Sequence, residues 1–366
     1  MSLFGIENLP YGVFSVDGGP RRIGVRLGSG VVDLEPCGGL LAAGTLNPLL
    51  AAGRPEWTAA RARVVEQVAA GPAVIPLDEV RLHLPFEVAD YTDFYSSEQH
   101  ALNAGRILRP DSPGLSPTWR RLPIGYHGRS ATVVVSGTPI ERPSGQLADG
   151  VFGPTRRLDI EAEVGFVVGV PGRRLRTGDF ARHVFGVVLL NDWSARDIQA
   201  FEYRPLGPFL GKSFATSISP WVVPLDALAT ITPPAQEPVP HDYLLPPGPG
   251  FDLRLAVDWN DTRVSAPPFA GMYWTAAQQL AHLTSNGAAV RTGDLYASGT
   301  VSGPARDQVG SFLELTWNGA EPVKLADGST RGFLLDGDRV TISATAAGAA
   351  GVEIGLGEVT GTVVGA

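Results

Sequence analysis

A chain of 366 residues, 44% hydrophobic and 18% charged, has apolar mass for one large core or two unequal ones. Its formal net charge of −8 argues against a nucleic-acid partner. The single cysteine, Cys37, excludes an intrachain disulfide and fits a reducing cytoplasm. The opening MSLFGIENLPYGVFS lacks the basic-then-apolar pattern of a signal peptide, and FGVVLL at 185–190 is far too short to span a bilayer. The expectation is a cytoplasmic protein that does not engage a membrane.

In chain order, YGVFSVDGGPRRIGVRLGSGVVDL reads as short strands separated by DGG and GSG turns. A helix is predicted to follow, capped by Thr58, striped with Val64, Val65 and Val68, and stopped by Gly71-Pro72. These elements make a small β-barrel module with one helix, with a boundary near Pro76–Pro85. The remainder is strand-rich: ATVVVSG, LDIEAEVGFVVGV, FGVVLLND, WVVPL, FDLRLAVDW, SFLELTW and RVTIS all have strand composition. Few helices separate them. One is expected to be capped at Ser96 with Gln99, one to follow Asp192, and one to begin at Thr275 with Gln278. TPPAQEPVPHDYLLPPGPG at 232–250 reads as a surface loop. There is no strict alternation of strand and helix, so the expected class is mainly β (α+β) rather than a doubly wound sheet.

Several residues along this path carry chemistry. In LDIEAEVGF, alternation puts Asp159, Glu161 and Glu163 on one face of a strand. Adjacent carboxylates on one face repel unless water or a cation intervenes, and a wet amphipathic strand is the equal alternative. Asp192 ends an apolar strand and is either a metal ligand or, more plainly, a helix cap. Arg196, Gln199 and Tyr203 recur at helical spacing on one face. Lys212, flanked by Phe209, Leu210 and Phe214, is expected to be half-buried beside an anion. DYTDFYSSEQH at 90–100 adds Asp93 and His100, and Glu314 looks like an ordinary strand glutamate. Taken together, Asp93, Glu161, Glu163 and Asp192 form an all-oxygen set suited to Mg²⁺ or Ca²⁺ rather than Zn²⁺, with Lys212 offsetting surplus charge. His83, His183 and His241 are expected at the surface or boundary, His282 packed on its helix, and Cys37 inert.

The segments DYTDFYSSEQHALNAGRILRP, LPIGYHGRSATVVVSGTPI, LDIEAEVGF, LLNDWSARDIQAFEYRPLGPFLGKSFATSISPWVVP and LYASGTVSGP closely resemble the fumarylacetoacetase family, and the likeness covers nearly the whole chain. The resemblance implies a small SH3-like β-barrel domain over 1–85, followed by a larger β-sandwich-roll catalytic domain over 86–366. It implies Asp93, Glu161, Glu163 and Asp192 as metal-binding acids, with Lys212 and Thr216 at a magnesium-associated site. His100 matches the catalytic base and Glu314 the acid that orients it. Arg196, Gln199 and Lys212 match groups that stabilise developing negative charge. Tyr95, Arg109, Tyr126, Gln199, Tyr203 and Thr300 match substrate-binding positions. Ala215 stands where the family pattern has glycine, and 232–250 is the least family-like stretch.

The implied reaction is metal-dependent hydrolysis of a carbon–carbon bond in a diketo-diacid, by a homodimer, as the last step of tyrosine and phenylalanine breakdown. One rival is another enzyme of the superfamily acting on acylpyruvates or a related diacid. The other is a β-rich module with a structural Ca²⁺, which would have no use for His100, Glu314 and Lys212 together.

Overall fold

A computed structural model describes residues 2–111 and 114–365. Three sheets form three layers. In the first, β1 (Tyr11–Ser15), β2 (Arg22–Leu27), β3 (Gly30–Asp33), β4 (Ile75–Pro76) and β5 (Arg81–His83) run antiparallel in the order β4-β3-β2-β1-β5. Helix α1 (Arg54–Ala69) crosses beside them, burying Trp57, Ala60 and Val64.

The central sheet contains β6 (Tyr91–Phe94), β7 (Gly125–His127), β8 (Val133–Val135), β9 (Ala162–Val168), β10 (Val184–Asp192), β11 (Thr216–Ile218) and β12 (Leu295–Ala297). Their order is β7-β6-β12-β9-β10-β11-β8, with Val223–Pro224 added against β10. Pairing is antiparallel except for β12 with β6 and β11 with β8. The third sheet is built on Leu253–Trp259, Arg339–Ala347 and Glu353–Val364. Mainly β with a few helices is therefore the architecture, as the short apolar runs and turn residues dictate.

β10 shows why FGVVLL carries no polar alternation. Val187 and Leu189 pack toward the third sheet, while Val188 and Leu190 pack into a second core with Tyr11, Val25, Leu50 and Trp57 of the first 85 residues. A strand covered on both faces reads as a continuous apolar run. Its end, Asp192, is thereby fixed from two sides.

Helix starts depart from expectation at two helices, and one helix forms where a strand was expected. α1 starts at Arg54, because Pro55 suits the first turn; Thr58 lies inside it, donating its hydroxyl hydrogen bond to Arg54 O. α2 (Glu98–Leu108) is capped by Ser97, whose hydroxyl accepts from His100 N, and not by Ser96, whose hydroxyl accepts from Gln279 Nε2. Asp192 remains in its strand, and α3 (Arg196–Glu202) begins after Ala195 without a side-chain cap. α4 (Ala276–Thr284) carries the expected Thr275–Gln278 capping box. SFLELTW is not a strand: Phe312–Leu315 is a short helix, α5, capped by Ser311. His183 is buried rather than peripheral, its Nδ1 held by Val170 O. Among the described residues no helix is long and apolar enough to cross a membrane.

Candidate active site

The stretch LDIEAEVGF is broken into Leu158–Asp159 and β9, leaving Glu161 between them. Glu161 is held there by a bridge to Ser311 and by its own N–H donating to Asn191 Oδ1. Glu163 lies in β9 opposite Leu190, Asp192 closes β10 opposite Thr216, and Asp93 lies in β6 opposite Tyr126. Sheet pairing thus brings together acids as far apart in sequence as Asp93 and Asp192. One oxygen from each of Asp93, Glu161, Glu163 and Asp192 lies within 4.8 Å of the others, and all four side chains are buried.

Cations and hydroxyls ring this cluster. Lys212 Nζ donates to Asp192 Oδ2 at 2.8 Å and also to Glu161 Oε2. Arg196 spreads its guanidinium over Asp159 Oδ2 at 2.7 Å, Glu161 Oε1 at 2.7 Å and Gln199 Oε1 at 3.1 Å. Tyr126 OH donates to Asp192 Oδ2 at 2.9 Å, and Thr216 Oγ1 to Asp192 Oδ1 at 3.1 Å. Lys212 and Thr216 thus bond to the acids; a protonated ammonium has no lone pair with which to ligate a cation. Lys212 is buried, not half-buried, while its neighbours Phe209 and Leu210 are 61% and 49% exposed. Its ion partners, not its apolar flanks, draw it inside.

Five buried carboxylates, Asp93, Asp159, Glu161, Glu163 and Asp192, face two buried cations, Arg196 and Lys212. Burial, reinforced by Asp192, raises the Asp93 carboxyl well above its usual range. Burial and the charges of Asp93 and Glu161 do the same to Glu163. Burial also pushes Glu161 up, but Lys212, Arg196 and His100 outweigh it and hold Glu161 low. Asp93 Oδ1 and both Glu163 oxygens are buried with no hydrogen-bond partner among the described residues. Orphaned carboxylate oxygens converging on one point, with surplus negative charge, fit a divalent cation.

A second constellation lies beside the first. His100, in the first turn of α2, places Nδ1 at 2.6 Å from Glu314 Oε2. Glu314 also accepts from Ser302 Oγ at 2.9 Å, Ser311 Oγ at 2.8 Å and Asn103 Nδ2 at 3.0 Å. Burial raises Glu314, but His100 and these donors more than offset it, so its carboxyl lies below the usual value. Glu314 as an ionised acceptor makes Nδ1 the donor, so in the neutral imidazole the lone pair lies on Nε2. That nitrogen is 3.9 Å from Glu161 Oε1. The helix carrying Glu314 is anchored by Phe312, stacked on Trp259 with ring centroids 4.0 Å apart, a contact worth about 0.5–1.5 kcal/mol beyond its buried area.

A cavity of about 370 Å³ opens over both constellations. Its walls include Asp93, Tyr95, His100, Tyr126, Glu161, Arg196, Gln199, Lys212 and Thr300. Thr300 Oγ1 is buried there with no partner among the described residues. Tyr203 lies outside this lining, in an adjoining hollow that shares Leu108, Arg196 and Gln199 with it. Arg109 is also outside it, ending α2 with Nη2 donating to Gly114 O at 3.4 Å. Sequence reasoning passed over Asn103, Ser302 and Ser311 around Glu314, and placed Asp159 beside Glu161 and Glu163 without giving it a role of its own. Of the first three, only Ser311 carried a signal, the S-x-x-E of a capping box with Glu314.

Four converged carboxylates that fit a divalent cation, and a buried histidine–glutamate pair at the same cavity of a mainly β fold, suit the class of metal-assisted hydrolases. Residues 91–364 match the family model described as fumarylacetoacetate (FAA) hydrolase C-terminal, and residues 7–85 match fumarylacetoacetase N-terminal. The chain is 45% identical to human fumarylacetoacetase over 404 residues, covering 99% of this chain and 96% of that protein. It is 44% identical to the rat fumarylacetoacetase with the same coverage. Among solved structures it resembles maleylpyruvate hydrolase from Sphingobium sp. SYK-6 in complex with manganese (II) ion and pyruvate, with TM-score 0.59, 18% identity, and 98% and 99% of the two chains covered. The chain belongs to the fumarylacetoacetase family.

Proposed function

We propose that this protein hydrolyses the carbon–carbon bond of 4-fumarylacetoacetate, releasing fumarate and acetoacetate. The observation that carries the reading is one cavity walled both by His100, whose Nδ1 is bonded to Glu314 behind it, and by Asp93 and Glu161 of the four converged acids. The relatives' shared name gives the substrate.

Asp93, Glu161, Glu163 and Asp192 would hold a divalent cation, Mg²⁺ or Ca²⁺ by their all-oxygen chemistry. When bound, the cation supplies Lewis-acid polarisation of the diketone oxygens and charge compensation for the enolate leaving group. His100 takes a proton from water at Nε2, while Glu314 fixes its tautomer and stabilises the imidazolium. Gln199, whose oxygen is occupied by Arg196, turns its amide N–H groups to the alkoxide formed at the attacked carbonyl. Arg196 and Lys212 add positive charge at the same side. Lys212 has one N–H beyond the two that bond the acids. Tyr95, Tyr126 and Thr300 line the substrate's path, and Arg109 and Tyr203 meet its carboxylate ends at the rim.

The same reading takes 1–85 as an SH3-like domain packed against a catalytic unit over 86–366. It also takes the protein as a cytoplasmic homodimer of aromatic amino-acid breakdown, with no nucleic-acid or membrane partner. Loss of diketone absorbance, compared for fumarylacetoacetate and a panel of acylpyruvates with Mg²⁺ present, tests it. Turnover of the first by at least about 10²-fold over the panel is expected, since the cavity must seat two carboxylate ends. A preference for acylpyruvates would refute the substrate.

A further inference from the structure

We propose that Asp159 is a positioning residue that locks Arg196 and the helix bearing Glu314 into one rigid unit, so that charge stabilisation and the water-activating base keep their relative geometry. The proposal rests on the catalytic reading above. Asp159 is completely buried, and its short strand pairs with Ser194–Ala195, the two residues that lead into α3. Its carboxylate makes four contacts. Oδ1 accepts from Ile160 N and Phe312 N, both at 2.7 Å. Oδ2 accepts from Leu313 N at 3.1 Å and from Arg196 Nε at 2.7 Å.

Each bond links a different part of the site. The bonds from Phe312 and Leu313 hold the first turn of α5, two residues and one residue before Glu314. The bond from Arg196 fixes the plane of a guanidinium whose other nitrogens reach Glu161 and Gln199. A fully buried carboxylate with every lone-pair direction engaged is a rigid joint, because any partner that moves leaves a charge uncompensated. Asp159 itself is absent from the cavity wall. Nor is it one of the four converging acids. Its contacts serve to position the groups on either side.

Asparagine is nearly isosteric with aspartate, but its Nδ2 cannot accept from Arg196 Nε or Leu313 N. In Asp159→Asn, kcat is expected to fall about 10–100-fold while KM stays within about threefold, as for loss of an orienting partner. The proton between His100 Nδ1 and Glu314, resolved downfield in NMR by its short bond, is expected to shift and broaden. A kcat within about threefold of wild type, or an unmoved resonance, overturns the proposal.

If Asp159→Asn does not fold, Arg196→Lys carries the test. Lysine keeps the charge but lacks the fixed Nε–H donor. Amide exchange at Phe312 and Leu313 is then expected to quicken at least about tenfold, and unchanged exchange overturns the proposal. Resonance and exchange are read without substrate. A wild-type chain inert toward fumarylacetoacetate would refute the functional reading and leave Asp159 to be judged on those signals.

Discussion

His100 Nδ1 and Glu314 Oε2 stand 2.6 Å apart although 214 residues separate them in the chain. The pair is buried, and its acid is held ionised by donors on three sides. With Nδ1 committed to Glu314, Nε2 is the nitrogen left for the proposed base.

Replacing either member should therefore stop chemistry more than binding. His100→Ala and Glu314→Gln are expected to lower kcat about 10²–10⁴-fold with KM changed far less. Steady-state kinetics on folded variants, checked by circular dichroism, decide this. Full activity in either would refute the assignment.

Glu163→Gln should weaken divalent-cation binding, because both Glu163 oxygens face the cluster without other partners. Calorimetric titration with Mg²⁺ and with Ca²⁺ measures it, and an unaltered affinity would remove Glu163 from the ligand set.

The raised Asp93 and Glu163 carboxyls set a pH dependence of definite sign. Each binds its proton more tightly folded than unfolded. The stabilisation is full below the unfolded value, near pH 4, and is lost as pH rises toward the folded value. The metal-free protein is expected to melt at lower temperature at pH 7.5 than at pH 5.5 on this account. A saturating divalent cation should reverse much of the loss and release protons on binding. Melting curves at both pH values, and binding enthalpies in buffers of different ionisation heat, test both parts.

Lys212→Met strips a buried cation from Glu161 and Asp192. Breaking one side of such a network costs about 3–5 kcal/mol. Denaturant unfolding of the metal-free variant should show a loss of that order, together with reduced kcat. A change under about 1 kcal/mol would mean the acids are protonated rather than paired.

Thr300→Val keeps shape and removes a buried, unpartnered hydroxyl from the cavity wall. Stability should stay level or rise slightly, since an unsatisfied group is lost. KM for fumarylacetoacetate should rise several-fold, by about 1 kcal/mol for one hydrogen bond. An unchanged KM would take Thr300 out of substrate contact.

Part of this site was legible through strand alternation, with a wet strand face as its equal alternative, and the rest through the family resemblance. LDIEAEVGF announced a shared carboxylate face, and the apolar run before Asp192 announced a strand end. Glu314 was harder. FLELTW alternates like a strand, yet Ser311 caps it as a helix, and period two over six residues could not outweigh that local bond. Lys212 was read through apolar neighbours of which Phe209 and Leu210 in fact face outward, because ion pairing depends on Glu161 and Asp192, which local sequence does not display. Asp159 gave no sign of its partners at all, since they come from residues 196, 312 and 313.

β10 has an oily underside seated on the first 85 residues through Val188 and Leu190. That contact makes the amino-terminal layer a foundation for catalysis rather than an ornament. Shearing it off would bare the back of the very strand that ends in Asp192. The truncated remainder would face two hazards at once, self-association through the naked surface and a slackened grip on the ion.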